Sequence, residues 1–192
     1  MNERLSSDFN KELTDTSFSA LVELIRTLVH YRDSIILVGG WVPYLLLKKH
    51  KLPDDNFRHV GSIDIDLLVD GNKIGEDEYN TIVELINQSG WKQAEGKQFT
   101  FEKEIIGKDG NERGITVDFL TAQVHEGKEH RHRQIQFDLN ARTMRGSDIG
   151  LKHNCYCKIS GELPSGAITS IEFKMLDVVG CIGTKGIALG ER

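Results

Sequence analysis

Residues 34–49 read SIILVGGWVPYLLLKK, and the switch within them decides the fold class. Residues 34–38 are a short apolar run closed by Gly39 and Gly40, the pattern of a buried strand. From Trp41 the apolar residues resume as a helix over 41–49. Pro43 is tolerated in its first turn, where a backbone N–H has no intrahelical acceptor to lose. A strand that passes through two glycines into a helix belongs to a sheet carrying helices on its faces.

Working outward, residues 17–30 place Phe18, Leu21, Leu24, Ile25 and Leu28 at helical spacing, which predicts a helix capped near Thr16 or Ser17. Downstream, 50–61 is a polar loop and 62–69 (SIDIDLLV) a strand. The stretch 76–89 predicts a helix with Tyr79, Ile82, Val83, Leu85 and Ile86 on its apolar side, ended by Gly90. Residues 98–106 and 114–121 predict two strands, joined by a turn that Asp109–Gly110 marks as a hairpin. A charged loop, HEGKEHRHR, occupies 125–133. Further strands are expected at 134–138, 154–159 and 168–173. A final helix over 174–189 is expected despite Gly180, Gly183 and Gly186, which weaken it. The expectation is a mixed α/β (α+β) fold, a mixed β-sheet flanked by helices. It forms one domain over 1–192, with a helical segment at 1–33 and the sheet-bearing core at 34–192.

Composition narrows the classes. The chain has 192 residues, 39% hydrophobic and 28% charged, enough for a single buried core and unlike a disordered segment. The net charge of −5 argues against a dedicated nucleic-acid coat, which needs clustered Lys and Arg. No apolar leader and no membrane-length apolar run is visible. With its 3 cysteines the chain reads as cytoplasmic with reduced thiols. Cys155 and Cys157 would share one face of a strand, but no second pair completes a zinc set, so packing is the better reading.

The chemistry centres on three features. Asp64 and Asp66, two apart on a strand, project from one face, and two adjacent like charges call for a neutralising cation. Hard oxygen ligands on a strand suit Mg2+. Gly39 and Gly40 allow a tight turn and close backbone approach to a ligand, just before a helix N-terminus suited to phosphate. Asp118 is a lone acid in an apolar strand and needs a partner: a salt bridge, or a shared metal.

Together the segments LVGGWVPYLLL, GSIDIDLLVD and ITVDFL resemble the DNA polymerase β nucleotidyltransferase superfamily. Within it the chain is most similar to the AbiEii-like bacterial nucleotidyltransferases of abortive infection and toxin–antitoxin systems. Residues 184–192 (TKGIALGER) carry the K-x-x-A-L-x-x-R run found there. The resemblance implies an enzyme moving a nucleoside monophosphate from an NTP, ATP among them, to an RNA end, a protein hydroxyl or a small molecule. It implies that Gly39, Gly40 and Ser62 hold the triphosphate and that Asp64, Asp66 and Asp118 bind two Mg2+ ions, or Mn2+. Asp118 would also help deprotonate the acceptor, and Lys185 would reach the triphosphate or the leaving pyrophosphate. A cognate toxin or antitoxin partner and a phage-defence role are implied as well. The 23 residues between Gly40 and Asp64 exceed the family's usual gap, an excess assigned to loop 50–61.

Other features carry weaker readings. His125, His130 and His132 read as solvated loop residues rather than metal ligands. Arg131, Arg133, Arg142 and Arg145 could line a basic rim for phosphate or an RNA end. Trp41 and Tyr44 could stack a base but suit the core better, as does Trp91. Two rival functions stay open: a catalytically silent interaction module of the same fold, and a glycosyltransferase using D-x-D, which would leave Gly39, Gly40 and Asp118 without a role.

Overall fold

The computed structural model describes residues 11–50, 59–74, 80–123 and 132–190. Helix α1 (Lys11–Thr27) and a 3-10 turn (Val29–Tyr31) lead into strand β1 (Ile35–Val38), helix α2 (Trp41–His50) and strand β2 (Ile65–Val69). Helix α3 (Ile82–Gln88), strands β3 (Lys92–Gln93), β4 (Thr100–Ile106) and β5 (Glu112–Thr121), and the pair β6 (His132–Gln136) and β7 (Leu139–Thr143) follow. Helix α4 (Ser147–Lys152), strands β8 (Asn154–Glu162) and β9 (Ile168–Leu176) and helix α5 (Val178–Gly190) close the described chain.

The strands form one mixed sheet in the order β3-β4-β5-β2-β1-β9-β8, with β7 joined to β5 and carrying β6. Parallel pairing joins β1 to β9, β2 to β5 and β5 to β7, and β1 runs antiparallel to β2. The fold is therefore mixed α+β, with helices on an open sheet.

Side chains alternate across a strand, so register sorts them. Ile65, Leu67, Val117 and Phe119 share one face, where Phe101 meets Phe119 edge-on at 5.7 Å. Helix α1 packs against β4, β5, β8 and β9, burying Leu21, Leu24 and Ile25. The opposite face carries Asp66, Leu68, Asp118 and Leu120. There α4 lies over β1 and β2, with Gly150 close against Leu68 and Leu176, and α5 packs on α4, α2 and β9. The sheet's acids thus open toward the α4–α5 side.

Several boundaries differ from expectation. Helix α1 is already formed at Lys11, the first described residue, rather than starting near residue 17. Thr16 and Ser17 are interior residues: Thr16 Oγ1 donates to the Glu12 carbonyl at 2.7 Å and Ser17 Oγ to the Ile63 carbonyl at 2.7 Å. Their hydroxyls find acceptors without capping anything. Helix α3 starts at Ile82 because Thr81 and Glu84 form a capping box; the expected start at 76 and Tyr79 lie outside the described residues. Strand β2 starts at Ile65, leaving Asp64 in the bend before it and Ser62 in the irregular chain ahead of that bend. His132 and Arg133 stand in β6 rather than a loop, and β3, β7 and α4 are additional elements. Strand β9 runs on to Leu176, so α5 begins at Val178 instead of 174. The expected loop 50–61 and charged loop 125–133 lie mostly outside the described residues. No helix of the described residues is long and apolar enough to cross a membrane.

Candidate active site

The glycine turn and the acids meet. Val38, the last residue of β1, pairs with Asp66 on β2, and the chain turns at Gly39 with φ +72. Any side chain at Gly39 would collide with Asp66: a Cβ there would lie 2.0 Å from Asp66 Oδ2. The same holds one residue on, where a Cβ at Gly40 would lie 2.5 Å from Ser62 Oγ. Both glycines are therefore required by close approach, and Gly39 also by its left-handed backbone. Gly40 directly precedes α2, whose first-turn N–H groups lack intrahelical acceptors.

Asp66 and Asp118 are register partners on the parallel pair β2–β5, so their side chains leave the sheet on the same side. Asp64 lies two residues before Asp66, and its Oδ1 accepts a hydrogen bond from Thr116 Oγ1 at 3.0 Å. Asp118 Oδ1 accepts one from Thr100 Oγ1 at 2.6 Å. The electrostatic strain falls on Asp66. Burial, followed by the charges of Asp118 and Asp64, lifts its pKa from the ordinary 3.8 to about 6, and Arg142 and Lys185 pull the other way.

Those two cations share a cavity with Asp66. It measures about 140 Å³ and is bordered by Gly39, Asp66, Arg142, Thr184 and Lys185, with Leu120, Met144 and Leu176 as apolar wall. Lys185 comes from α5 and Arg142 from β7, where its guanidinium lies 5.5 Å from the centre of the Phe99 ring. A larger cavity of about 540 Å³ lies between α1, the β4–β5 turn and the β8–β9 turn. None of the candidate acids borders it, so size does not select the site; the convergence of acids, glycines and cations does.

Of the seven expected site residues, Gly39, Asp66 and Lys185 border the smaller cavity; Asp118 and Asp64 act on Asp66 through their charges, and Ser62 lies against Gly40. Among the described residues, however, no three carboxyl, imidazole or thiol side chains are gathered closely enough to hold a metal ion. The donor chemistry still suits a hard cation: aspartates in register, one with its charge disfavoured by its neighbours.

The remaining candidates sort differently. Trp41 is fully buried and sits with Phe18 and Tyr44, ring centres 5.2 Å from each, so it is a core residue; Trp91 is also buried. Cys155 and Cys157 are free thiols on β8. His132 is exposed on β6, while His125, His130 and Arg131 lie outside the described residues. Arg133 reaches Asn72 at 3.4 Å, and of the four arginines Arg142 borders the acid cavity. Sequence reasoning missed Thr100 and Thr116. Both follow from strand register, and no local pattern carries that signal.

No family model, curated protein or solved structure matches the chain.

Proposed function

We propose that the chain is a Mg2+-dependent nucleotidyltransferase of the polymerase β-like fold, working in the cytoplasm, that moves a nucleoside monophosphate from an NTP to an acceptor hydroxyl and releases pyrophosphate. The observation that carries it is the contact of Gly39 with Asp66, directly beside the register pair Asp66–Asp118. A phosphate-suited turn and a pair of carboxylates are one structure here, not two motifs that happen to occur in the same chain.

In this reading the backbone at Gly39 and Gly40, the first turn of α2 and the Ser62 hydroxyl receive the triphosphate. Asp64, Asp66 and Asp118 hold Mg2+, or Mn2+ in its place. The ion, when bound, supplies the positive charge that oxyanion chemistry needs. Asp118 takes the proton of the acceptor hydroxyl on a carboxylate oxygen. Lys185, with Arg142 beside it, offsets the charge that builds on the departing pyrophosphate. The acceptor is an RNA end, a protein hydroxyl or a small molecule, and a toxin–antitoxin or phage-defence role rests on the motif resemblance.

Incubation with each α-32P-labelled NTP, Mg2+ and a bacterial lysate, followed by fractionation into RNA, protein and small molecules, tests it. Label is expected in one fraction with wild type and in none with the Asp64→Ala/Asp66→Ala variant. Transfer that persists in that variant contradicts the assignment.

A second reading, a silent binding module of the same fold, draws support from the acids, which among the described residues do not form a group of three close enough to hold an ion. Wild type that binds neither Mg2+ nor NTP would favour it.

A further inference from the structure

We propose that Thr100 is a positioning residue for Asp118, fixing the carboxylate that the proposed function needs as a metal ligand; the inference rests on that reading of the acids. Thr100 is the first residue of β4 and the register partner of Asp118 on β5. It is 2% exposed, so its hydroxyl has no ready access to bulk water. The Oγ1 to Oδ1 distance of 2.6 Å falls in the range of charge-assisted O–H···O⁻ bonds, which are roughly twice as strong as neutral ones.

A β-branched side chain on a strand is stiff at χ1, so the donor is a fixed point. An aspartate alone keeps two soft torsions; tied at Oδ1, its second oxygen remains available to a cation. Valine would fill the same strand position equally well, so packing does not account for the hydroxyl. The matching bond from Thr116 to Asp64 makes this a repeated device: two neighbouring threonines donate to the two outer acids. Asp66, the third acid, lies instead close against Gly39, where no side chain could stand. Partners that orient a ligating carboxylate typically change metal affinity by about 10–100-fold when removed.

The test measures Mn2+ binding by the whole chain, by electron paramagnetic resonance titration without nucleotide, together with thermal melting. Thr100→Val is expected to stay folded and to bind Mn2+ more weakly by on the order of tenfold or more, and Thr100→Ser to return to within about threefold of wild type. If Thr100→Val melts lower yet binds Mn2+ as wild type does, the hydroxyl is structural and the proposal is overturned, with the metal site intact. Tighter binding by Thr100→Val overturns it equally. Should Thr100→Val fail to fold, Thr100→Ser decides: Mn2+ binding well below wild type overturns the proposal, since the donor is still present. Wild type that binds no Mn2+ removes the nucleotidyltransferase reading itself, and this inference falls with it.

Discussion

Asp66 stands with Gly39 against its carboxylate, Asp118 across from it and Asp64 two residues back. Its folded pKa, raised from 3.8 to about 6, means that the folded chain binds this proton more tightly than the unfolded chain does. Between those values the native state holds more protons, so this group's contribution to stability falls as pH rises. The contribution is complete below the ordinary value and lost through about pH 6; that difference corresponds to roughly 3 kcal/mol. Asp66→Asn removes the charge and keeps the shape. It is expected to melt higher than wild type at pH 8, with the gap closing toward pH 4, as thermal scans against pH would record. Activity should be lost, the usual exchange between stability and a strained site. Gly39→Ala goes the other way. The left-handed backbone costs about 1–2 kcal/mol for an L side chain, and the overlap with Asp66 adds to it. Urea unfolding should show a loss of at least about 2 kcal/mol, and NTP binding should fall more than tenfold.

At the level of elements, local patterns and long-range pairing separate cleanly. Strand β1, helix α2 and the β4–β5 hairpin were legible because each is specified by neighbours in the chain: an apolar run, a glycine pair, an Asp-Gly turn. Gly110 in that turn does take φ +80, as a tight hairpin requires. The start of α1 was not legible, since Thr16 and Ser17 look like caps and differ from caps only in where their hydroxyls point. Strand β7 was missed because LNART is only five residues long and, apart from Thr143, lacks the β-branched and aromatic residues that mark a strand; its place comes from pairing with β5 and β6. Helix α3 is short, and its start depends on Thr81, whose side chain accepts from Glu84 N at 3.1 Å and donates to Asp138 at 2.6 Å. Thr81→Ala should therefore cost about 1 kcal/mol or somewhat more, read from the urea midpoint, while NTP binding stays unchanged because α3 lies away from the acids.

Across the whole molecule, the candidate site is assembled from five separate pieces of chain: the β1–α2 turn, strand β2, strand β5, Arg142 on β7 and Lys185 on α5. Gly39, Gly40, Asp66 and Asp118 could be picked out beforehand because each breaks its local pattern, an acid in an apolar strand or a glycine between two elements. Arg142 could be named only as a member of a basic rim. That it borders the acid cavity, as the other described arginines of that set, Arg133 and Arg145, do not, depends on the Leu120–Arg142 pairing and on its seat over Phe99. The central claim is that these pieces make one metal and triphosphate site, and calorimetric titration of NTP tests it most directly, using wild type and the folded Asp66→Asn variant, each with and without Mg2+. Saturable binding by wild type that requires Mg2+ and disappears in Asp66→Asn is the predicted result. Equal binding by the two proteins, or no binding of any NTP by wild type, would contradict it.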